Sequence, residues 1–439
     1  MKTPLLFLLL FSAFCPLGFS SVKEKAKAAI SAELDSLVAL YKHLHANPEI
    51  SFQEEKTALR LAREMKGIGF KVAEKVGGHG VVGVFKNGDG PTVLVRTDTD
   101  ALPVKEATGL AYASKQTTTD DRGLEVPTMH ACGHDVHMAC WVGAAKVLTS
   151  LREHWSGTLL FIAQPAEERG AGARMMLADG LFEKFPVPDY GVALHVTHDQ
   201  PVGTLGWTSG FALANVDSVD VTVKGVGGHG SQPQSAKDPI VLAAQIILNL
   251  QTIVSREIHP LEPAVLTVGS IHGGSKHNII PDEVHLQLTL RSYSSEVRKH
   301  LISSIERICR AQAEAAGIPK DRFPMVKVKD EFIPATYNDP ALVKRVTGVF
   351  ADWFGKSALI ERKPTMGGED FGRYGTTKHK IPVFMFRIGS VSPATIKRAR
   401  SAGQPLPTLH SSIYAPEPEP TITTGVTAMS AAVLDLLKK

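Results

Sequence analysis

The sequence predicts an α/β fold with a smaller domain inserted into it. Two observations carry that prediction. Up to about residue 214, short apolar runs alternate with helical stretches; from Val216 the order becomes strand, helix, strand, strand, helix, strand before the earlier rhythm returns.

Taken in order, residues 23–47 read as an amphipathic helix, with Leu34, Leu37, Val38, Tyr41 and Leu44 at helical spacing. A second helix, about Gln53 to Lys66, should stop at Gly67 and Gly69. Strand candidates follow at Val81–Phe85, Thr92–Arg96, Thr158–Ala163 and Tyr190–Leu194, with helices expected over 136–151 and 171–185. This alternation implies a largely parallel sheet covered by helices on both faces. The strand Val216–Lys224 places Val219, Val221 and Val223 on one face. A helix over 236–256, strands at Ala264–Ile271 and Glu283–Ser292, a helix over 295–316 and a strand at Met325–Lys329 complete a β-α-β-β-α-β unit, the ferredoxin-like order. A helix over 339–353 and a strand over 382–388 resume the α/β style, and Pro416, Pro418 and Pro420 suggest an extended stretch before the last helix. The expected division is a leader at 1–20, a main domain in two parts at 21–214 and 332–439, and the inserted domain at 215–331.

The 439 residues exceed what one compact core normally holds, and 43% hydrophobic with 21% charged residues is a globular balance. A net charge of +4, with Lys and Arg scattered, argues against nucleic-acid binding. Lys2, the apolar run Leu5–Phe14, then Pro16, Gly18, Ser20 and Ser21 look like a cleavable export signal. The expected destination is periplasm, medium or endomembrane lumen. No later segment reads as long and apolar enough to span a membrane, so no membrane association is expected after cleavage. The four cysteines, Cys15, Cys132, Cys140 and Cys309, are too few for a disulfide scaffold.

The informative polar residues fall just after predicted strands: Asp98 and Asp100, then Glu167 and Glu168, then His195. In open α/β sheets ligands bind beyond the carboxyl ends of the strands. Met129-His-Ala-Cys-Gly-His-Asp135 leads into the helix over 136–151, and in extended backbone Cys132 and His134 point to the same side. Thiolate, imidazole and carboxylate are the ligands of zinc and its first-row neighbours. A pair of such ions needs a bridging anion, terminal ligands and a free base, and adjacent Glu167 and Glu168 suit a division into base and ligand. Each residue also has a plain structural reading: a core thiol, a solvated Glu pair, turn or cap aspartates, a core histidine. Their coincidence at strand ends outweighs those separate readings. His43, His45, His154, His259 and His379 have no such setting and read as structural.

Arg96-Thr-Asp-Thr-Asp-Ala-Leu-Pro103, the Cys-Gly-His-Asp run, Gln164-Pro-Ala-Glu-Glu168 and Gly368-Glu-Asp-Phe371 together resemble the aminoacylase-like metallopeptidase superfamily. Within it they are similar to the branch of N-acyl-amino-acid amidohydrolases, hippurate hydrolases and plant auxin-conjugate hydrolases. The resemblance implies a two-metal, zinc-peptidase-like catalytic domain with a ferredoxin-like insert serving as lid or dimerisation domain. It implies that Cys132 bridges two divalent ions (zinc, manganese, cobalt or nickel) with His134, His195, Glu168 and His410 as further ligands. Glu167 would be the general base, Asp100 would orient a ligand, and His229 would reach the scissile carbonyl. Asn278 and Arg291 would hold the substrate carboxylate, although Arg291 also reads as a surface-strand arginine. The expected substrate is a small N-acyl amino acid, with dipeptides as the alternative, and the expected assembly a homodimer. A dipeptidase or carboxypeptidase on the same scaffold, or a binding protein without activity, are the rival classes. Three departures stand out: Gly230 where alanine is common, the stretch Asp120–Thr128, and the basic approach to His410 through Lys397, Arg398 and Arg400.

Overall fold

A computed structural model describes residues 21–439; the leader reading on residues 1–20 lies outside the described residues. Ser21 opens helix α1 (Val22–Ala46): its hydroxyl accepts the Glu24 N–H while the Glu24 carboxylate accepts the Ser21 N–H, satisfying two donors that the first turn leaves free. Helix α2 (Glu55–Ile68) ends at Gly69, whose φ of 104° makes a left-handed cap. Strands β1 (Lys71–Val76), β2 (Gly80–Asn87) and β3 (Thr92–Asp98) follow, then helix α3 (His134–Ser150) and strand β4 (Gly157–Gln164). The helix expected over 171–185 is two short ones, Gly172–Ala178 and Leu181–Lys184, because Gly180 between them takes φ 85°. Strands β5 (Tyr190–Pro201) and β6 (Leu205–Trp207) close this half.

The ferredoxin-like order appears as β7 (Asn215–Lys224), α4 (Pro239–Thr252), β8 (Ala264–Gly273), β9 (Glu283–Ser292), α5 (Ser295–Ala315) and β10 (Met325–Val328). These strands form an antiparallel sheet in the order β8-β9-β7-β10. Val219, Val221 and Val223 face a separate core with Ile246, Leu286 and Leu301. One helical segment, Pro239–Glu257, is long and apolar enough to cross a membrane, contrary to the expectation from sequence. Its apolar content is partly accounted for by packing: Leu242, Ala243, Ile246 and Leu250 are buried in that core.

Helix α6 (Pro340–Phe354), strands β11 (Leu359–Glu361) and β12 (Val383–Val391), and helix α7 (Pro418–Leu436) return to the large sheet. Helix α7 begins earlier than expected, and Pro418 and Pro420 lie in its first turn. Proline is tolerated there because those backbone donors have no intrahelical partner anyway. The large sheet runs β1-β2-β4-β3-β5-β12-β6-β11. Its centre, β4-β3-β5-β12, is parallel, while β1, β2 and the β12–β6 pair are antiparallel, so the sheet is mixed rather than parallel throughout.

Helices α1, α3 and α7 cover one face around Trp141, Phe161 and Phe386. Trp141 is 1% exposed and donates its indole N–H to Val95 O at 3.0 Å, so burial, at roughly 1.5–3 kcal/mol for a large apolar side chain, leaves no orphan donor. The other face packs under Phe182, Phe371 and Tyr374. With both faces covered, the open edge for chemistry is the carboxyl end of the central strands.

Candidate metal centre

Three central strands and one helix start meet at that end. Strand β3 ends at Asp98 and leads to Asp100; β4 leads through Pro165 and Ala166 to Glu167 and Glu168; β5 carries His195. Gly133, with φ 79°, turns the chain into α3, and a Cβ there would lie 2.6 Å from Val196 Cγ2, so only glycine fits. Two further residues near the cluster hold left-handed backbone without being glycine: Ala166 at φ 49° and His410 at φ 66°. Such conformations persist where the surroundings impose them. At Ala166 the surroundings include the Glu54 carboxylate, which accepts the Ala166 N–H at 2.7 Å.

The donors form two sets sharing one sulfur. Cys132, His134 and His195 bring ligand atoms within 4.8 Å of one another, and so do Cys132, Glu168 and His410. Cys132 Sγ is 3.5 Å from His195 Nε2, and Glu168 Oε1 is 3.4 Å from His410 Nε2. The tautomers suit ligation. His134 Nδ1 donates to Asp100 O at 2.7 Å and His195 Nδ1 donates to Val196 O at 2.7 Å, so Nε2 is the nitrogen each ring has free for a cation, which at His134 would take the place of a proton. His134 Nε2 and Glu168 Oε1 are buried without a hydrogen-bond partner. Orphaned acceptors in such a setting are what a cation would satisfy.

The electrostatics point the same way. Burial opposes charge on His134, but Asp98 and Asp100 outweigh it and hold its pKa well above the usual value. His410 is pushed up to about 10 by Cys132 and Glu168. The potential in the cluster is therefore negative and draws positive charge. Burial, then Glu369 and Glu168, pushes the Glu167 carboxyl well up; a bound cation would oppose that shift. Burial and then Glu168 raise the Cys132 thiol, so ligation there would release a proton.

Supporting contacts fix the donors. Asp100 Oδ2 accepts from Ser51 Oγ at 2.6 Å and from the Glu168 N–H at 3.0 Å, while its backbone carbonyl holds His134 Nδ1, so the residue orients both His134 and Glu168. Asp98, which local sequence reads equally well as a turn residue, holds His137 Nδ1 at 2.7 Å, and His137 Nε2 accepts the Val196 N–H at 2.9 Å. Arg96, fully buried, ties Asp98, Glu369 and Asp370 together. Sequence reasoning missed His137 and Glu54. His137 stands three residues after His134 on the same helix, a spacing that could have drawn attention to it; no local signal marks Glu54.

A cavity of about 520 Å³ opens over Cys132, Glu167, Glu168, His195 and His410, and Arg291 and Thr289 of β9 line its opposite wall. Arg291 donates through Nε to Thr289 Oγ1 at 3.2 Å and has no acidic partner among the described residues. His229 and Asn278 are not brought into this cavity. They are exposed at a short two-stranded pairing of distant segments, Gly228–His229 against Ile279–Ile280, where the His229 ring meets Ser231 Oγ at 2.8 Å. Gly228–His229 follows the end of β7 and Ile279–Ile280 lies just before Glu283 at the start of β9, whereas Arg291 and Thr289 stand near the other end of that strand. A Cβ at Gly230 would lie 3.0 Å from the Asn278 backbone, a tight fit that a small shift of that segment would relieve.

Residues 94–403 match the family described as Peptidase family M20/M25/M40. The chain is 38% identical over 348 residues to the hippurate hydrolase of Campylobacter jejuni, covering 78% of this chain and 85% of that one. It is 36% identical over 362 residues to the N-acetyl-L-cysteine deacetylase of Bacillus subtilis, covering 81% of each. The crystal structure of the Bacillus subtilis YXEP protein, described as a dinuclear metal-binding peptidase, superposes with a TM-score of 0.73 at 28% identity, over 92% of this chain and 98% of that one.

Proposed function

Because the chain belongs to peptidase family M20/M25/M40, we propose that this metal-dependent amidohydrolase cleaves N-acyl amino acids of the hippurate kind to a carboxylic acid and an amino acid. The observation that carries the reading is the pair of donor sets joined at Cys132. Cys132, His134 and His195 would hold one divalent ion and Cys132, Glu168 and His410 the other. Zinc, manganese, cobalt and nickel all accept such a set. Two ions at such a site supply Lewis acidity toward the carbonyl and lower the pKa of water.

The chain's own groups do the rest. Glu167, buried beside the cavity and needed in neither donor set, takes the proton of the attacking water on its carboxylate and returns it to the departing amine nitrogen. Asp100 keeps His134 and Glu168 in place during both transfers. Arg291 offers its planar fork to the carboxylate beside the scissile amide. His229 and Asn278 reach the amide only after the inserted unit closes or a second copy supplies them. Exposed Ile240, Val241, Leu248 and Ile271 on α4 and β8 support a homodimer through that unit. Export through the leader belongs to the same proposal and is read by N-terminal sequencing of the mature protein.

The test is hydrolysis of hippurate, N-acetyl amino acids and dipeptides by metal-stripped protein re-supplied with zinc, manganese or cobalt. Metal-dependent cleavage of acyl amino acids supports the reading, and preference for dipeptides replaces it with a peptidase. Absence of cleavage with every metal, despite two bound ions, would sink it.

A further inference from the structure

Beside the metal centre lies a second recess that the reading above does not use. Arg387 on β12 stands in parallel register with His195 on β5, so both side chains leave the same face of the sheet at its carboxyl end. Arg387 lines a cavity of about 160 Å³ together with Thr197, His198, Trp207, Lys363 and Leu409. Val196 and Leu409, which also line it, are the chain neighbours of His195 and His410, so the two cavities adjoin at the metal site.

The recess is built for negative charge. None of its lining residues is acidic. Arg362 is already held by Asp199 through two hydrogen bonds of 3.0 and 2.8 Å. Arg387 is partly buried and makes no hydrogen bond or ion pair among the described residues, and Lys363 makes none either. His198 Nδ1 is buried without a partner. Gly206 faces Arg387 across β6, where a Cβ would sit 2.7 Å from Arg362 Cδ and 3.1 Å from Arg387 Cβ, so glycine makes room for both arginines. The negative charge near Arg387 comes from Glu369, Cys132 and Glu167 at a distance, none in ion-pair contact, so its guanidinium donors remain free for a ligand.

Arg291 and Arg387 thus line neighbouring cavities that adjoin at the His195 and His410 segments, each without an ion pair among the described residues. From this, and resting on the amidohydrolase reading, we infer that the recess is a second anion subsite, and that the preferred substrates are N-acyl amino acids bearing a second carboxylate besides the one next to the amide. That carboxylate sits either at the far end of the acyl group or on the amino-acid side chain. Arg387 receives it in its planar fork, and Lys363 adds charge at the rim.

The experiment measures kcat/KM for two matched pairs, with hippurate as the internal reference. N-acetylglutamate against N-acetylglutamine places the extra charge on the side chain; N-succinylmethionine against its terminal amide places it on the acyl group. One acid should exceed its amide by about 10–100-fold, the worth of a hydrogen bond to a charged group. Arg387→Met should bring that ratio close to one while Arg387→Lys retains part of it, and Lys363→Met, an exposed change, should lower it if the first variant does not fold. Cleavage of hippurate with no acid preference in either pair overturns the subsite alone, as does a ratio unchanged in both Arg387→Met and Lys363→Met. Absence of cleavage on every substrate overturns the amidohydrolase reading and the subsite with it.

Discussion

Cys132 Sγ lies 3.5 Å from His195 Nε2, and the same sulfur completes a second donor set with Glu168 and His410. A shared ligand and a terminal ligand should therefore fail differently. Cys132→Ala should remove both ions, whereas His410→Ala should cost mainly one. Elemental analysis of the purified proteins reads this directly, and two ions retained in Cys132→Ala would exclude the bridging role.

Glu167 is buried over the cavity and belongs to neither of the sets joined at Cys132. Glu167→Ala should lower kcat by about 10²–10⁴-fold, the usual worth of a general acid–base group, with both ions still bound. Turnover near that of the unaltered protein would show that another group moves the proton.

The Glu54 carboxylate accepts the Ala166 N–H at 2.7 Å, and its other oxygen has no partner. Burial and then Asp100 push Glu54 up to about 8. Glu54→Ala leaves a buried N–H unsatisfied at a cost of about 1–3 kcal/mol and frees the turn that aims Glu167 and Glu168. The expected result is a lower kcat with little change in KM, partly restored in Glu54→Gln, which keeps an acceptor oxygen. Steady-state kinetics with urea unfolding separates this from simple destabilisation: a loss of stability with kcat intact would make Glu54 structural only.

His45 is buried with its two ring nitrogens on Asp135 at 2.7 Å and Glu106 at 3.0 Å. Burial works against a charged His45, yet bonds and charge from Asp135 and Glu106 hold it at about 10. Its folded pKa lies above the unfolded value of about 6.5, so its stabilisation is complete below that pH and fades as pH rises through about 10. Asp135 and Glu106 are held low, so their share is present above the ordinary carboxylate range and fades in acid. His45→Gln should lower stability by about 3–5 kcal/mol near pH 6, because it leaves a buried carboxylate uncompensated. The gap should narrow toward pH 10. Urea midpoints at the two pH values test this, and a pH-independent gap would contradict it.

The α/β alternation and the β-α-β-β-α-β order were legible because each rests on local periodicity and short-range chemistry. So was the clustering of Asp100, Glu167, Glu168 and His195, since each follows a short apolar run that reads as a strand. The Pro418 helix start and the break at Gly180 were less so, because one proline or glycine fits either side of a helix boundary.

What local sequence could not show is which distant groups become neighbours. Residues 98, 164, 195 and 387 meet because the strands order as β4-β3-β5-β12, an arrangement that no window of sequence contains. That order puts Arg387 beside His195; packing around it puts Asp98 behind His137 and Glu54 under Ala166 and leaves His229 and Asn278 on an exposed two-stranded pairing outside the cavity. The sequence by itself determined which donors the chain owns and on which strand ends they sit. Tertiary structure alone decided which of them come within ligand distance of one another, which are held in place by buried partners and which arginines face a cavity with their donors free, because those are properties of packing between segments far apart in the chain.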